Sequence, residues 1–259
     1  MPIKLRIAET RFHSVTHFPV IDSTNTFAIQ QAQAGADSGA VYIADEQTAG
    51  RGRGGHAWHS QPGDGLYLTV LLRPLLQVND ALKISLAAAL ACQQAISEAC
   101  GTSIDLRWPN DLVIPQRKGP SLKCGGILTE TASDTSGSLR YAVIGLGINL
   151  NHAELPPDLA STATSLRIAT GHAVDREDLT VALLRALSHQ MDLLEQSPAS
   201  VLQQFAQRST WINGKRVVVA EDNGYTGVTD GLSATGLLRV RLDNGSLREV
   251  RHGGVREAT

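Results

Sequence analysis

The sequence predicts an α+β fold: a central sheet with packed helices, then a small all-β unit at the carboxyl end. Three observations support this. Apolar runs of strand length, such as 40–46, 66–72 and 139–150, are interspersed with helical stretches. Two of those stretches are long, with an aspartate or asparagine before each and a glycine after the first. From Gly214 onward the texture changes to short strands broken by Asn-Gly and Thr-Gly turns.

Taken in order, residues 14–20 read as a strand. Asp22-Ser23-Thr24-Asn25 then leads into a helix over Phe27–Ala34 that Gly35 ends. Residues 40–46 are the next strand, followed by a glycine-rich loop. Leu66–Leu72 is apolar almost throughout, which predicts a strand buried on both faces. Asn79 is placed to cap a helix from Asp80 to about Ala99, stopped by Gly101. Strands follow near 103–108, 111–115, 122–131 and 139–150. Asp175 caps a second long helix to about Gln196, where Leu179, Leu183, Ala186, Leu187 and Met191 recur at helical spacing. Pro198 opens a shorter helix ending before Trp211. Segments 217–219, 225–228, 237–242 and 247–250 are short strands, with Asp243-Asn244-Gly245 a hairpin signal. A module of this size should pack on the chain before it rather than stand alone. The expected division is 1–212 and 213–259.

A chain of 259 residues with 42% hydrophobic content has enough apolar material for a sizeable core. Its net charge of −2 provides no global basic field for nucleic acid. Cys92, Cys100 and Cys124 are an odd set without metal-ligand spacing and fit a reducing cytoplasm. The first residues lack the apolar core of a signal peptide, and no apolar run reaches the roughly 18 residues of a membrane span. The expectation is a cytoplasmic protein with no membrane partner.

The densest chemistry lies in Gln47–Ser60, which holds four glycines, two arginines, two histidines and a tryptophan in fourteen residues. Glycines let backbone N–H groups approach an anion, and Arg51 and Arg53 supply forked cationic donors. Ordering such a loop costs roughly 1–2 kcal/mol per residue, so it should order when an anionic ligand arrives. A solvated basic turn would look the same, and the loop alone leaves both readings open. His56 and His59 have no further ligand cluster to make a zinc site.

Four further segments join it. Asp22-Ser23-Thr24-Asn25 is either a helix cap or a set of neutral donors and acceptors for a polar ligand. Arg107-Trp108-Pro109-Asn110-Asp111 sets a rigid turn between an aromatic ring and a carboxylate, as a plain hairpin also would. Lys123-Cys124-Gly125-Gly126-Ile127-Leu128-Thr129-Glu130 puts a lysine ahead of two glycines in a buried strand. A glycine pair there weakens the strand unless something must approach the backbone, and the lysine needs an anionic partner. Gly145-Leu146-Gly147-Ile148-Asn149 ends a strand without completing a dinucleotide fingerprint.

In this order the segments resemble the biotin–protein ligases, also called biotin–[acetyl-CoA-carboxylase] ligases, from about Asp22 to Asn151, with a looser match at Ala163–Leu166. The arginine-glycine loop paired with Lys-x-Gly-Gly is the specific part. The resemblance implies a mixed sheet with helices on one side, followed by a small SH3-like β-barrel domain. It implies a two-step reaction: biotin's carboxylate attacks the α-phosphate of ATP, with Mg²⁺ as cofactor, to give biotinyl-5′-AMP and pyrophosphate. A lysine of a biotin carboxyl carrier domain then attacks that anhydride and AMP leaves. Two anions must meet, so fixed cations are the chemical requirement.

By the same resemblance, Ser23, Thr24, Asn25, Gln47, Gly50, Arg51 and Gly52 bind biotin, with Gly125 and Gly126 against its bicyclic ring. Neutral polar groups suit the ureido ring, which both accepts and donates. Lys123 bridges the biotin carboxylate and the α-phosphate, and Arg53 holds phosphate, so both belong to the biotin and the ATP sets. Trp58, Asn110 and Asn149, with Arg51, complete the ATP set. Asp111 is the third catalytic candidate; it steers or deprotonates the acceptor lysine, or meets the Mg²⁺ that enters with ATP. No fixed metal site is expected.

Where family loops often read Gly-Arg-Gly-Arg-Arg-Gly-Arg, this chain has Gly54 and His56 in place of two arginines, which predicts a weaker grip on phosphate or adenylate. His252-Gly253-Gly254-Val255-Arg256 is a degraded form of the family's last strand, which puts its part in ATP binding in doubt. Only about a dozen residues precede the first strand. That is too short for the helix-turn-helix of the family's repressor members, so no DNA partner is expected. The family contains monomers and dimers, and a homodimer is compatible with the sequence. A lipoate or octanoate ligase, a ligand-binding sensor and a nucleic-acid-binding module are the competing readings.

Overall fold

The computed structural model of the chain describes residues 3–258. Its sheet is built outward from Gly65–Leu72 (β3), all eight residues of which are buried. That follows from a strand apolar on both faces. Around it lie Ser14–Ile21 (β1), Ala40–Gln47 (β2), Asp105–Arg107 (β4), Asp111–Ile114 (β5), Leu122–Ser133 (β6) and Leu139–Asn149 (β7). The order is β1-β2-β3-β7-β6-β5-β4, and only β1 and β2 run parallel.

Period-two alternation gives the sheet two apolar faces. Val41, Ile43, Leu66, Leu68, Val70 and Leu72 face the main core with Ala81–Cys100 (α3), Arg176–Gln196 (α5) and Pro198–Arg208 (α6). Ala40, Tyr42, Leu71 and Val143 face the other way, onto Ala28 and Ala32 of Thr24–Gln33 (α2). Helices therefore cover both faces, where one covered face was expected.

Helix ends follow their local chemistry. Gly101 closes α3 in the left-handed region at φ +62°, Asp175 accepts from the Asp178 N–H at α5, and Pro198 opens α6. Asn79 is not the cap of α3. Gln77 instead starts a 3₁₀ turn, Val78–Asp80, that runs into the helix, with the Gln77 and Asp80 side chains each accepting a backbone N–H from the other's end. The helix α2 begins at Thr24, three residues earlier than the apolar pattern indicates, because Ser23 caps it. Ile3–Arg6 (α1) and Leu166–Thr170 (α4), of four and five residues, are too short to show periodicity.

The carboxyl-terminal strands are Asn213–Val219 (β8), Tyr225–Leu232 (β9), Leu238–Arg241 (β10), Leu247–Val250 (β11) and Val255–Glu257 (β12). They form an open antiparallel sheet of order β11-β10-β9-β8-β12. The expected SH3-like barrel is thus corrected: among the described residues β11 pairs only with β10, β12 only with β8, and no ladder joins the two edges. The backbone that would carry β11 onward is engaged elsewhere. Arg251 and His252 donate their N–H groups to the Glu221 side chain, and the Gly254 carbonyl accepts from Ala220. Val217, Val219, Leu238, Val240, Val250 and Val255 join the main core. The buried Trp108 indole also donates to the Gly236 carbonyl at 2.9 Å. Met1, Pro2 and Thr259, at the limits of the expected division, lie outside the described residues.

Candidate active site

Three glycines on one face of β6 and β7 create the floor of a pocket. Gly126 pairs with Gly147, and Leu128 with Gly145, so the glycines are neighbours across the ladder. A Cβ at Gly145 would lie 2.0 Å from Asn25 Oδ1, and one at Gly147 would lie 2.6 Å from the Trp58 ring. Side chains from α2 and from the glycine-rich loop thus rest directly on sheet backbone.

Over this floor stands a neutral polar cluster. Gln47 Oε1 accepts from Thr24 N–H at 2.9 Å and from Thr24 Oγ1 at 3.0 Å, while Gln47 Nε2 donates to Ser60 Oγ at 3.1 Å. Thr69 Oγ1 lies 2.8 Å from Thr24 Oγ1 and 2.7 Å from Asn25 Oδ1. Asn25 Nδ2 donates to the Leu128 carbonyl and to Glu130. Ser23, Thr24, Asn25 and Thr69 are all buried or nearly so, so their orientation is fixed by one another rather than by water.

Three cations line the same pocket, each with a partner. Arg51 makes a two-pronged pair with Glu130, at 3.1 and 2.8 Å. Lys123 Nζ lies 2.5 Å from Asp111 Oδ1, and Arg107 donates to Oδ2 of the same carboxylate at 2.8 and 3.1 Å. Burial alone would raise the Asp111 pKa, but Lys123 and then Arg107 outweigh it and hold the carboxyl below its ordinary range. Arg53 donates to the Gly253 carbonyl, in the turn between β11 and β12. The Trp58 indole covers the glycine floor 5.5 Å from Lys123 Nζ, and its buried Nε1 has no hydrogen-bond partner. Among the described residues no group of three or more His, Cys, Asp or Glu side chains could hold a metal ion.

The profile of the Biotin/lipoate A/B protein ligase family matches residues 17–149. The chain belongs to that family. A biotin–[acetyl-CoA-carboxylase] ligase of Paracoccus denitrificans is 31% identical over 237 residues, 85% of this chain and 91% of that protein. The bifunctional ligase/repressor BirA of Bacillus subtilis is 38% identical over 186 residues, covering 68% of this chain. The chain spans about half, 55%, of that relative's length. The Aquifex aeolicus biotin protein ligase in complex with biotin and ATP superposes with a TM-score of 0.79 at 26% identity, over 94% of this chain and 98% of that one.

Within this ligase-family site, the fold brings together Ser23, Thr24, Asn25, Gln47, Arg51, Gly52, Arg53, Trp58, Asn110, Lys123 and Gly126 around one pocket. Four expected residues stand apart. Asp111 lies behind Lys123 rather than on the wall. Gly125 points away, where a Cβ would meet Leu112. Gly50 serves the loop's own crossing, since its carbonyl accepts the Trp58 N–H. Asn149 is 9% exposed and donates to the Thr164 carbonyl. Thr69, Gly145 and Gly147, which line the pocket, and Glu130, which pairs with Arg51, stand outside the expected set. Glu130 could have been found from period two, since Gly126, Leu128 and Glu130 share one face of β6.

Proposed function

We propose that this chain joins biotin to a carrier protein at the expense of MgATP. In the first step a biotin carboxylate oxygen bonds to the α-phosphorus and pyrophosphate leaves, giving biotinyl-5′-AMP. In the second the amine of a carrier-domain lysine attacks the acyl carbon, loses a proton, and expels AMP. The observation that carries this reading is one pocket lined both by the neutral donors and acceptors of Thr24, Asn25 and Gln47 and by the cations Lys123, Arg51 and Arg53. Relatives named as biotin ligases, and a structural neighbour described with biotin and ATP, support it.

The neutral cluster of Thr24, Asn25 and Gln47 suits a ureido ring, with acceptors and donors held in place before the ligand enters. Lys123 leaves Asp111 to meet the carboxylate and α-phosphate, and Arg107 stays to keep Asp111 compensated. The magnesium travels with the nucleotide as substrate. With Lys123 turned to the ligands, Asp111 Oδ1 is free to meet the acceptor lysine or the Mg²⁺, while Oδ2 stays with Arg107. A lipoyl ring has no urea to satisfy the Thr24–Gln47–Asn25 cluster, which favours biotin over lipoate. We assign residues up to 212 to ligand binding and the second sheet to a supporting unit. The test is incubation with biotin, MgATP and a biotin carboxyl carrier domain. Mass gain on the carrier is expected with biotin, and gain with lipoate instead would reassign the substrate.

A further inference from the structure

Of the three loop and strand cations, Arg53 alone is held by a neutral group. Its Nη1 donates to the carbonyl of Gly253, 200 residues along the chain, between β11 and β12. A carbonyl partner fixes a guanidinium without cancelling its charge, and the remaining N–H groups stay free for an anion. A loop containing four glycines gains most from such a tether, because each residue fixed beforehand is one that ligand binding does not have to order.

The carbonyl is itself rigidly placed. Gly253 has φ +75°, and a Cβ there would sit 2.8 Å from the Ala220 carbonyl oxygen, so the turn presses on the chain after β8. Glu221, 6% exposed, clamps this turn. Its Oε1 accepts the backbone N–H of Arg251 at 3.0 Å and of His252 at 3.3 Å, with His252 Nε2 3.4 Å away. Its Oε2 accepts from the Tyr225 hydroxyl at 3.3 Å. A buried carboxylate is costly to keep unless it is well used, and here it is used mainly on backbone.

We infer that Glu221 is a positioning residue for the adenylation step, fixing the 251–254 turn so that the Gly253 carbonyl sets the stance of Arg53 at the pocket mouth. The second sheet then acts on the nucleotide through a loop cation, without a side chain of its own in the site. This rests on the reading above for what Arg53 does, and on the geometry alone for where Arg53 is held.

The test separates the two. Within the loop, the Gly52 amide bonds to the His56 carbonyl and the Trp58 amide to the Gly50 carbonyl. In ligand-free protein, Glu221→Ala should speed millisecond hydrogen exchange at both amides, with α3 unaffected. Glu221→Gln, which keeps an acceptor but loses the charge, should fall between. In an Arg53→Ala background, which itself speeds exchange at these amides, Glu221→Ala should add nothing further. In turnover, Glu221→Ala should raise KM for ATP about tenfold, the scale of one charge-assisted hydrogen bond, and leave KM for biotin unchanged. Loop exchange at the wild-type rate in Glu221→Ala, or in Glu221→Gln should the alanine variant not fold, would overturn the inference. So would fully additive effects of the two substitutions. An inactive wild type would instead refute the proposed activity, while the exchange cycle would still decide the anchor.

Discussion

At the scale of single residues, the site is a set of paired charges poised for exchange. Lys123 is held by an anion that a second cation also holds, so it can leave without stranding a buried carboxylate. Arg51 pairs with Glu130 at the pocket edge, where the neutral Asn25 amide is the carboxylate's second donor. Gly54 and His56, both exposed, stand at the two loop positions where the family resemblance leads one to expect arginine. Restoring those charges by Gly54→Arg/His56→Arg should slow dissociation of biotinyl-AMP, measured by competition with excess biotin after trapping the adenylate. An unchanged rate would mean that Arg51 and Arg53 already supply the grip. Lys123 and the arginines were legible in the sequence because a cation beside glycines in an apolar strand requires an explanation. Glu130 was legible only as a residue on the Gly126 face of β6; its role was not, because an acid on a half-buried strand has many innocent explanations until its partner is known.

Among the elements, the glycine floor of β6 and β7 explains why small residues stand in a buried sheet. Asn25 rests on Gly145 and is tied down by Thr69, Leu128 and Glu130, so it has little room to yield. Gly145→Ala should therefore destabilise the fold by about 1–3 kcal/mol, the usual cost of overpacking, read from the midpoint of urea unfolding. Gly147→Ala first meets the Trp58 ring, which sits on a loop, and should shift Trp58 fluorescence at smaller cost. Equal stability losses would show that the loop is as rigid as α2. Helix ends at Gly101, Asp175 and Pro198 could be read directly, because each is decided by one residue's local chemistry. The open second sheet could not. Whether β11 meets β12 depends on a side chain, Glu221, that removes backbone donors thirty residues away. The start of α2 was misjudged for a related reason: its first turn is polar because it faces the site.

For the molecule as a whole, one buried group gives a pH signature. His152 is 1% exposed with both ring nitrogens unpartnered, and burial, aided by His59 and opposed by Asp64, lowers its pKa from 6.5. The unfolded chain therefore binds the proton first as pH falls, so stability is full above about 6.5 and declines below it. His152→Leu should flatten that part of the stability curve between pH 7 and 5, and a parallel slope in the variant would place the cause elsewhere. The larger architecture couples two sheets through Trp108, Arg53 and a shared core, which places one sheet behind the site and the other behind its loop. In the proposed reaction that arrangement serves one chemical end, the meeting of a carboxylate with a phosphate under fixed positive charge. The most direct measurement is biotin-dependent pyrophosphate release from MgATP by the wild type and by Lys123→Met, which keeps the apolar stem and loses the charge. The expected result is stoichiometric release by the wild type and a loss of about 10²–10³-fold in the variant at unchanged thermal stability. Release by Lys123→Met at the wild-type rate, or none from either protein, would contradict the account.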